Sequence, residues 1–181
     1  LARRALRLAE FVTDAERAAA MAVRLVELDP ADGAAQAAAS GWLSRTGRPV
    51  AALEFAGNAY ELGHPVNVAT TLGNYEQMDD DSKAAIAEAL HDLAARWPDD
   101  NEIAIASSLL ARLEQDWRRA ESFLLPVLER SPEDVRAIML WTQLQLDQAV
   151  PNPLQRLEDA VAAFPANQEL RLQYARLLGS E

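Results

Sequence analysis

The chain has 181 residues, 50% of them hydrophobic and 25% charged, the balance of a globular protein and not of a disordered or low-complexity one. It has no cysteine, which removes disulfides, thiolate nucleophiles and cysteine-ligated metal centres, and only His64 and His91 supply imidazole. Twenty-eight acids against 17 bases leave a net charge of −11, which repels a phosphate backbone, and every apolar run stops short of the ~18 to 20 residues that span a bilayer, so neither nucleic acid nor a membrane span is expected.

Eleven helices are predicted from apolar residues at helical spacing and from the breakers between them. The first two cover 2–11 and 14–28, and Leu28-Asp29-Pro30 ends the second. Helices over 32–45 and 48–62 follow, divided by Thr46-Gly47-Arg48-Pro49; in the latter Ala51, Phe55, Ala59 and Leu62 form one apolar face. Two more are predicted over 66–78 and 81–96, with Asp79-Asp80-Asp81-Ser82 between them and Asp81 and Ser82 read as the N-cap. Helices over 100–114 and 116–130 meet at Gln115-Asp116, and the second carries Ala120, Phe123, Leu124, Val127 and Leu128. The last three, over 133–148, 152–163 and 167–179, are divided by Val150-Pro151-Asn152-Pro153 and by Phe164-Pro165-Ala166-Asn167. Acids that follow the prolines (Asp32, Asp99 or Asp100, Glu133 or Asp134) suit the positive end of the helix dipole.

The prolines carry a period. Pro30, Pro98 and Pro132 are separated by 68 and 34 residues, His64-Pro65 falls halfway across the longer gap, and Pro165 follows after 33. A proline this often forbids a continuous coiled coil, and the acidic charge speaks against a helical-repeat reader of RNA. A 34-residue helix-turn-helix unit closed by proline resembles the tetratricopeptide repeat family over essentially the whole chain. The small residues fit it too: with Gly47 as the turn glycine, Ala52 and Ala59 let the paired helices approach, and Ala120 repeats the first of these places with Trp117 before it. Three departures stand out. Val127 replaces a small residue, the unit ending at Pro165 is one residue short with Pro153 in place of Ala, and the unit over 65–98 has Gly73 and Tyr75 but no turn glycine.

The resemblance implies an all-α, right-handed solenoid of antiparallel helix pairs, with repeats over 1–32, 33–66, 67–100, 101–134 and 135–167 and a partial one over 168–181, in a single domain over 1–181. It also implies protein or peptide binding on a concave wall made by the first helix of each pair. The groove-facing places of the family fall on a wall more apolar than charged, where Arg45, Thr71, Tyr75, Arg112, Arg136, Met139, Gln143 and Arg176 are the candidate partner-binding residues. The carboxylate clamp of some family members needs Lys, Asn and Arg from successive first helices; Ala37, Gly41, Leu72, Glu102 and Ala106 stand there instead.

A second candidate surface is acidic. Asp79, Asp80, Asp81, Asp99 and Asp100 lie in a stretch from Glu76 to Glu102 that holds nine acids against Lys83 and Arg96, and it suits a basic partner or simply capped helix starts. The run lacks the Gly and Glu of a calcium loop, so no metal and no cofactor are expected. Catalysis is not expected either. His91 and Asp92 are neighbours on a helix and point about 100° apart, and Ser107 and Ser108 occupy packing places without a histidine to activate them. Trp42, Trp97, Trp117 and Trp141 are all expected to pack.

Two further expectations concern the ends. The final helix offers Leu170, Tyr174, Leu177 and Leu178 with no second helix to cover them, so the chain is read as a fragment of a longer repeat protein, or as one that self-associates through 167–179. The opening Leu1-Ala2-Arg3-Arg4-Ala5-Leu6, the stretch Ala95-Arg96-Trp97-Pro98-Asp99 and the close Leu170-Arg171-Leu172-Gln173-Tyr174-Ala175-Arg176-Leu177-Leu178 resemble bacterial outer-membrane lipoproteins built from tetratricopeptide repeats. That resemblance implies a periplasmic adaptor that brings a carboxyl-terminal processing protease to its substrates. A purely structural, self-assembling array is the remaining alternative.

Overall fold

A computed structural model describes residues 14–179, and the regular structure among them is entirely helical. Nine α-helices occur among the described residues: α1 Ala15–Leu28, α2 Gly33–Arg45, α3 Pro49–Glu61, α4 Asp80–Arg96, α5 Asn101–Leu113, α6 Trp117–Arg130, α7 Val135–Asp147, α8 Gln155–Ala163 and α9 Gln168–Leu178. Between α3 and α4 the chain forms two short 3₁₀ helices, Val68–Leu72 and Tyr75–Gln77. The helix predicted over 2–11 lies outside the described residues.

Local chemistry explains the regular punctuation. The residues before four of the prolines, Asp29, Trp97, Ser131 and Phe164, all close a helix in non-helical backbone, with φ between −121° and −148° and ψ between 62° and 87°. Proline's ring crowds the preceding residue out of the helical region, so each X-Pro step stops a helix. The next helix begins a few residues later on a polar cap. Asp32, Asp134 and Asn167 accept from backbone N–H groups of the first turns of α2, α7 and α9. Asp100 does the same for α5 through Ile103 N–H at 3.0 Å. Thus several acids expected inside first turns are the caps themselves.

The turns inside the pairs repeat as well. Gly47 (φ 72°), Gln115 (φ 61°) and Ala149 (φ 51°) occupy the left-handed region at the same step after α2, α5 and α7. In each the residue that follows donates its N–H to a carbonyl five residues back: Arg48 to Leu43 at 2.9 Å, Asp116 to Ala111 at 2.9 Å and Val150 to Gln145 at 3.0 Å. This is the Schellman closure, which satisfies the last carbonyls of the helix and reverses the chain.

The stretch over 66–78 does not form the predicted helix. Val66, Val68, Thr70 and Thr71 are β-branched, and Gly73-Asn74 follows them and breaks the segment before Tyr75. The threonine hydroxyls also bind carbonyls three residues back, Thr70 to Asn67 and Thr71 to Val68, each at 2.8 Å, which favours the tighter 3₁₀ winding over an α-helix. The following helix α4 is capped by Asp79, not by Asp81 and Ser82: the Asp79 carboxylate accepts from Ser82 N–H at 2.8 Å and from Ser82 Oγ at 3.0 Å.

By its contacts the chain divides into two compact units, residues 1–106 and 107–181, and the division falls inside α5. In the first unit, Ala18, Ala19, Ala22, Ala39, Leu43 and Ala52 join α1, α2 and α3 in one core, with Met21, Trp42 and Phe55 packed against it. Alanine at so many contact points lets helix axes approach closely. Between α3 and α4 a glycine does this: a Cβ on Gly57 would already touch Leu93 Cδ2 at 3.4 Å. In the second unit Leu124, Val127, Ile138, Leu144, Leu157 and Leu170 are fully buried. Ser108, 0% exposed, donates to the carbonyl of Ala120 at 2.8 Å, so a small polar residue serves the close approach of α5 and α6.

Candidate functional site

Within the second unit the first helices of successive pairs are α5, α7 and α9, and α7 and α9 pack on one another. Their solvent-facing residues define the candidate surface. Arg136, Gln143 and Leu146 on α7 and Leu172 and Arg176 on α9 are exposed, and Met139, two turns before Leu146 on the same face of α7, is half-buried. Leu146 and Leu172 expose 47% and 50% of their surfaces, which are large values for aliphatic side chains on packed helices. Arg112 on α5 is only a quarter exposed and is engaged within the chain: its Nε donates to Asp147 Oδ2 at 2.6 Å, one repeat further on. Arg136 lies 3.5 Å from Asp134 Oδ2.

In the first unit the candidate residues separate. Arg45 is exposed, with its guanidinium 4.8 Å from the centre of the Trp42 ring. Thr71 and Tyr75 are 2% and 6% exposed and belong to the core, a correction to their expected place on a groove. The two residues lie in separate 3₁₀ segments, Thr71 in Val68–Leu72 and Tyr75 at the start of Tyr75–Gln77, so the α-helical register that would set them on a groove does not hold there.

The acidic candidates are placed by helix starts. Asp79, Asp80, Asp81 and Asp99 are exposed, and Asp100 is half-buried. Hydrogen bonds from Ser82, first from its backbone N–H and then from its hydroxyl, hold the Asp79 carboxyl below the usual carboxylate range. Asp100 accepts from the Tyr60 hydroxyl at 3.0 Å as well as from its own helix, and Tyr60 packs on Trp97 with ring centres 5.2 Å apart. Trp97 in turn lies under the Arg96 guanidinium, at 4.4 Å, and Arg96 pairs with Glu61. This part of the acidic surface is therefore a braced joint between α3, α4 and α5 within the first unit.

All four tryptophans are half-buried, three of them next to an arginine: Trp42 with Arg45, Trp97 with Arg96 and Trp141 with Arg156, whose guanidinium lies 5.0 Å from the ring centre. Beside Trp141 a cleft of about 530 Å³ opens between α7 and α8. Sequence reasoning missed it. The available signal was the doubled proline of Pro151-Asn152-Pro153, which delays the start of α8.

Among the described residues no group of three or more His, Asp or Glu side chains is placed to hold a metal ion, and no helix is long and apolar enough to cross a membrane. His64 and His91 are both exposed, and the Ser108 hydroxyl is spent on the Ala120 carbonyl.

No family model matches the chain, and no curated protein matches it. Solved structures do. TTC0263, a thermophilic TPR protein of Thermus thermophilus, is 19% identical, with 98% of this chain and 99% of that one covered, and superposes with a TM-score of 0.62. YrrB, described as a TPR protein with an unusual peptide-binding site, is also 19% identical, with 94% and 88% covered and a TM-score of 0.53. At this identity the likeness speaks for the fold alone: the chain has the all-α solenoid fold of tetratricopeptide repeat proteins, built from antiparallel helix pairs.

Proposed function

We propose that the chain is a non-catalytic scaffold that binds a segment of another protein on the first-helix face of its second unit. One observation carries this reading: α7 and α9 are packed on one another, Leu146 and Leu172 stand half-exposed on them, and the same two helices expose Arg136, Gln143 and Arg176. Aliphatic contact area ringed by polar and arginine side chains is the composition of an interface centre and rim. YrrB, a protein of the same fold, is described as having a peptide-binding site, which supports peptide binding as a use of this fold.

The double variant Leu146→Glu with Leu172→Glu puts two charges on that face without touching a buried residue. The intact chain, used as bait in extract of its source organism, is expected to retain a stoichiometric protein that the variant loses at unchanged helicity. Equal retention by both would remove the face from consideration. If the retained protein is a carboxyl-terminal processing protease, the narrower role of a periplasmic adaptor follows; a cytosolic partner alone would exclude that role. Retention of only further copies of the chain would point to the self-associating array.

A further inference from the structure

The strongest feature outside that face is the cleft between α7 and α8, and it arises from a helix that starts late. Helices α3 and α6 begin two residues after the left-handed residues Gly47 and Gln115, whereas α8 begins six residues after Ala149. Pro151-Asn152-Pro153 stands where the first helical turn would be, and Asn152 takes a second left-handed conformation, φ 56°. The missing turn leaves α7 uncovered at Trp141 and opens the 530 Å³ space. That volume falls in the ordinary range of ligand pockets, ~300 to 1,000 Å³.

Trp141, Phe164 and three prolines supply the apolar surface of the cleft, Gln145, Asn152 and Gln155 supply a comparable polar share, and Arg156 stands on the α8 wall. Its guanidinium rests against the Trp141 ring, and no carboxylate lies within ion-pair distance of it among the described residues. A cation held over a ring face keeps its N–H donors for a carboxylate, the acceptor that matches a guanidinium in charge and in two-pronged geometry. Asp159, the acid on the same wall, is exposed and already accepts from Gln155 Nε2 at 3.0 Å. The unit that holds the cleft is the less acidic of the two. Residues 107–181 hold 11 acids and 8 bases, against 17 and 9 in residues 1–106.

We propose that this cleft binds an extended peptide segment that presents one acidic side chain to Arg156 and an aliphatic or proline side chain to Trp141 and Phe164. Neither Leu146 nor Leu172 lines this cleft, and the proposal does not depend on their face.

The test uses the full chain, immobilised, with two pools of acetylated and amidated octapeptides that differ only in a fixed central residue, Glu in one and Gln in the other. The retained peptides are identified by mass. Retention of the Glu pool at least 10-fold above the Gln pool is expected, with Leu, Val or Pro enriched next to the Glu. Arg156→Gln should abolish that preference at unchanged helicity, Arg156→Lys should weaken it several-fold, and Asp159→Asn should strengthen it. Equal retention of the two pools by the unmodified chain would overturn the proposal, as would an unchanged preference in Arg156→Gln or enrichment of basic peptides. A third pool with a free carboxyl terminus separates the remaining source: retention confined to it would mean a terminal carboxylate and would overturn the side-chain assignment.

Discussion

At Ala149 a side chain occupies a backbone conformation that glycine holds without strain. Gly47 meets nothing within 4 Å of a built Cβ, so its place is set by φ alone, and Gln115 and Ala149 fill the equivalent turns with residues that must tolerate φ of 61° and 51°. Ala149→Gly relieves that strain but loosens the unfolded chain, so a net gain of about 0.5 to 1 kcal/mol is expected, and Gly47→Ala should lose a similar amount. Urea denaturation of the two variants checks both signs together; a loss on Ala149→Gly would mean that the turn is not strained. A second residue-scale expectation concerns Asp79. Its folded pKa is lowered by the bonds from Ser82, so its contribution is full above the ordinary carboxylate pKa, ~3.9, and disappears as the pH falls through the lower folded value. Asp79→Asn keeps an acceptor for the cap but cannot titrate. It should therefore lose less stability than the parent between pH 5 and pH 2, and an identical acid limb for the two chains would show that Asp79 does not contribute to it.

Elements were legible where propensity, caps and breakers agreed. The starts and ends of α1 to α3, of α4 to α7 and of α9 fall within a residue or two of the prediction, because Asp and Asn caps, X-Pro steps and left-handed turns mark most of them. The stretch over 66–78 went the other way. Apolar spacing alone suggested a helix, whereas threonine back-bonding and Gly73 decided the backbone, and the burial of Thr71 and Tyr75 followed from it. The Arg156 cleft was hidden for a related reason: a proline pair shows that a helix is delayed, but not what the missing turn uncovers. Helix α8 itself has nine residues, well under the ~12 to 15 that an isolated helix needs, and Leu154 at its N-cap position supplies no side-chain cap. Its order must come from Leu157, 0% exposed, and Ala160, 6% exposed. Leu157→Ala should cost about 2 to 5 kcal/mol and loosen α8 before α6 or α7. Amide exchange resolved by residue reads this out, and uniform loosening of all helices of the second unit would refute the local dependence.

For the molecule as a whole, the uneven charge leads to a prediction about salt. Residues 1–106 hold 17 acids and 9 bases, and Asp79, Asp80, Asp81 and Asp99 crowd exposed positions near two helix starts. The helix dipoles favour acids at such starts, but they do not cancel repulsion between neighbouring carboxylates in the same unit. The ion pairs that oppose it among the described residues there, Arg17 with Asp14, Arg24 with Glu27, Arg48 with Glu16 and Arg96 with Glu61, are largely exposed and of the kind that contributes ~0 to 1 kcal/mol each. Residues 107–181, with 11 acids and 8 bases and the less exposed Arg112–Asp147 pair, carry little net repulsion to relieve. Raising ionic strength from about 0.01 to 1 M shortens the screening length from about 30 to 3 Å, enough to quiet repulsion between side chains on neighbouring turns. Amide protection in α1 to α4 should therefore rise with added sodium chloride, while protection in α6 to α9 should stay nearly constant. Lys83→Glu should enlarge the difference by adding an acid at the crowded start of α4. A salt response of equal size in the two units would show that helix capping already outweighs repulsion among these acids, and would leave the acidic surface without an energetic cost that a basic partner could relieve.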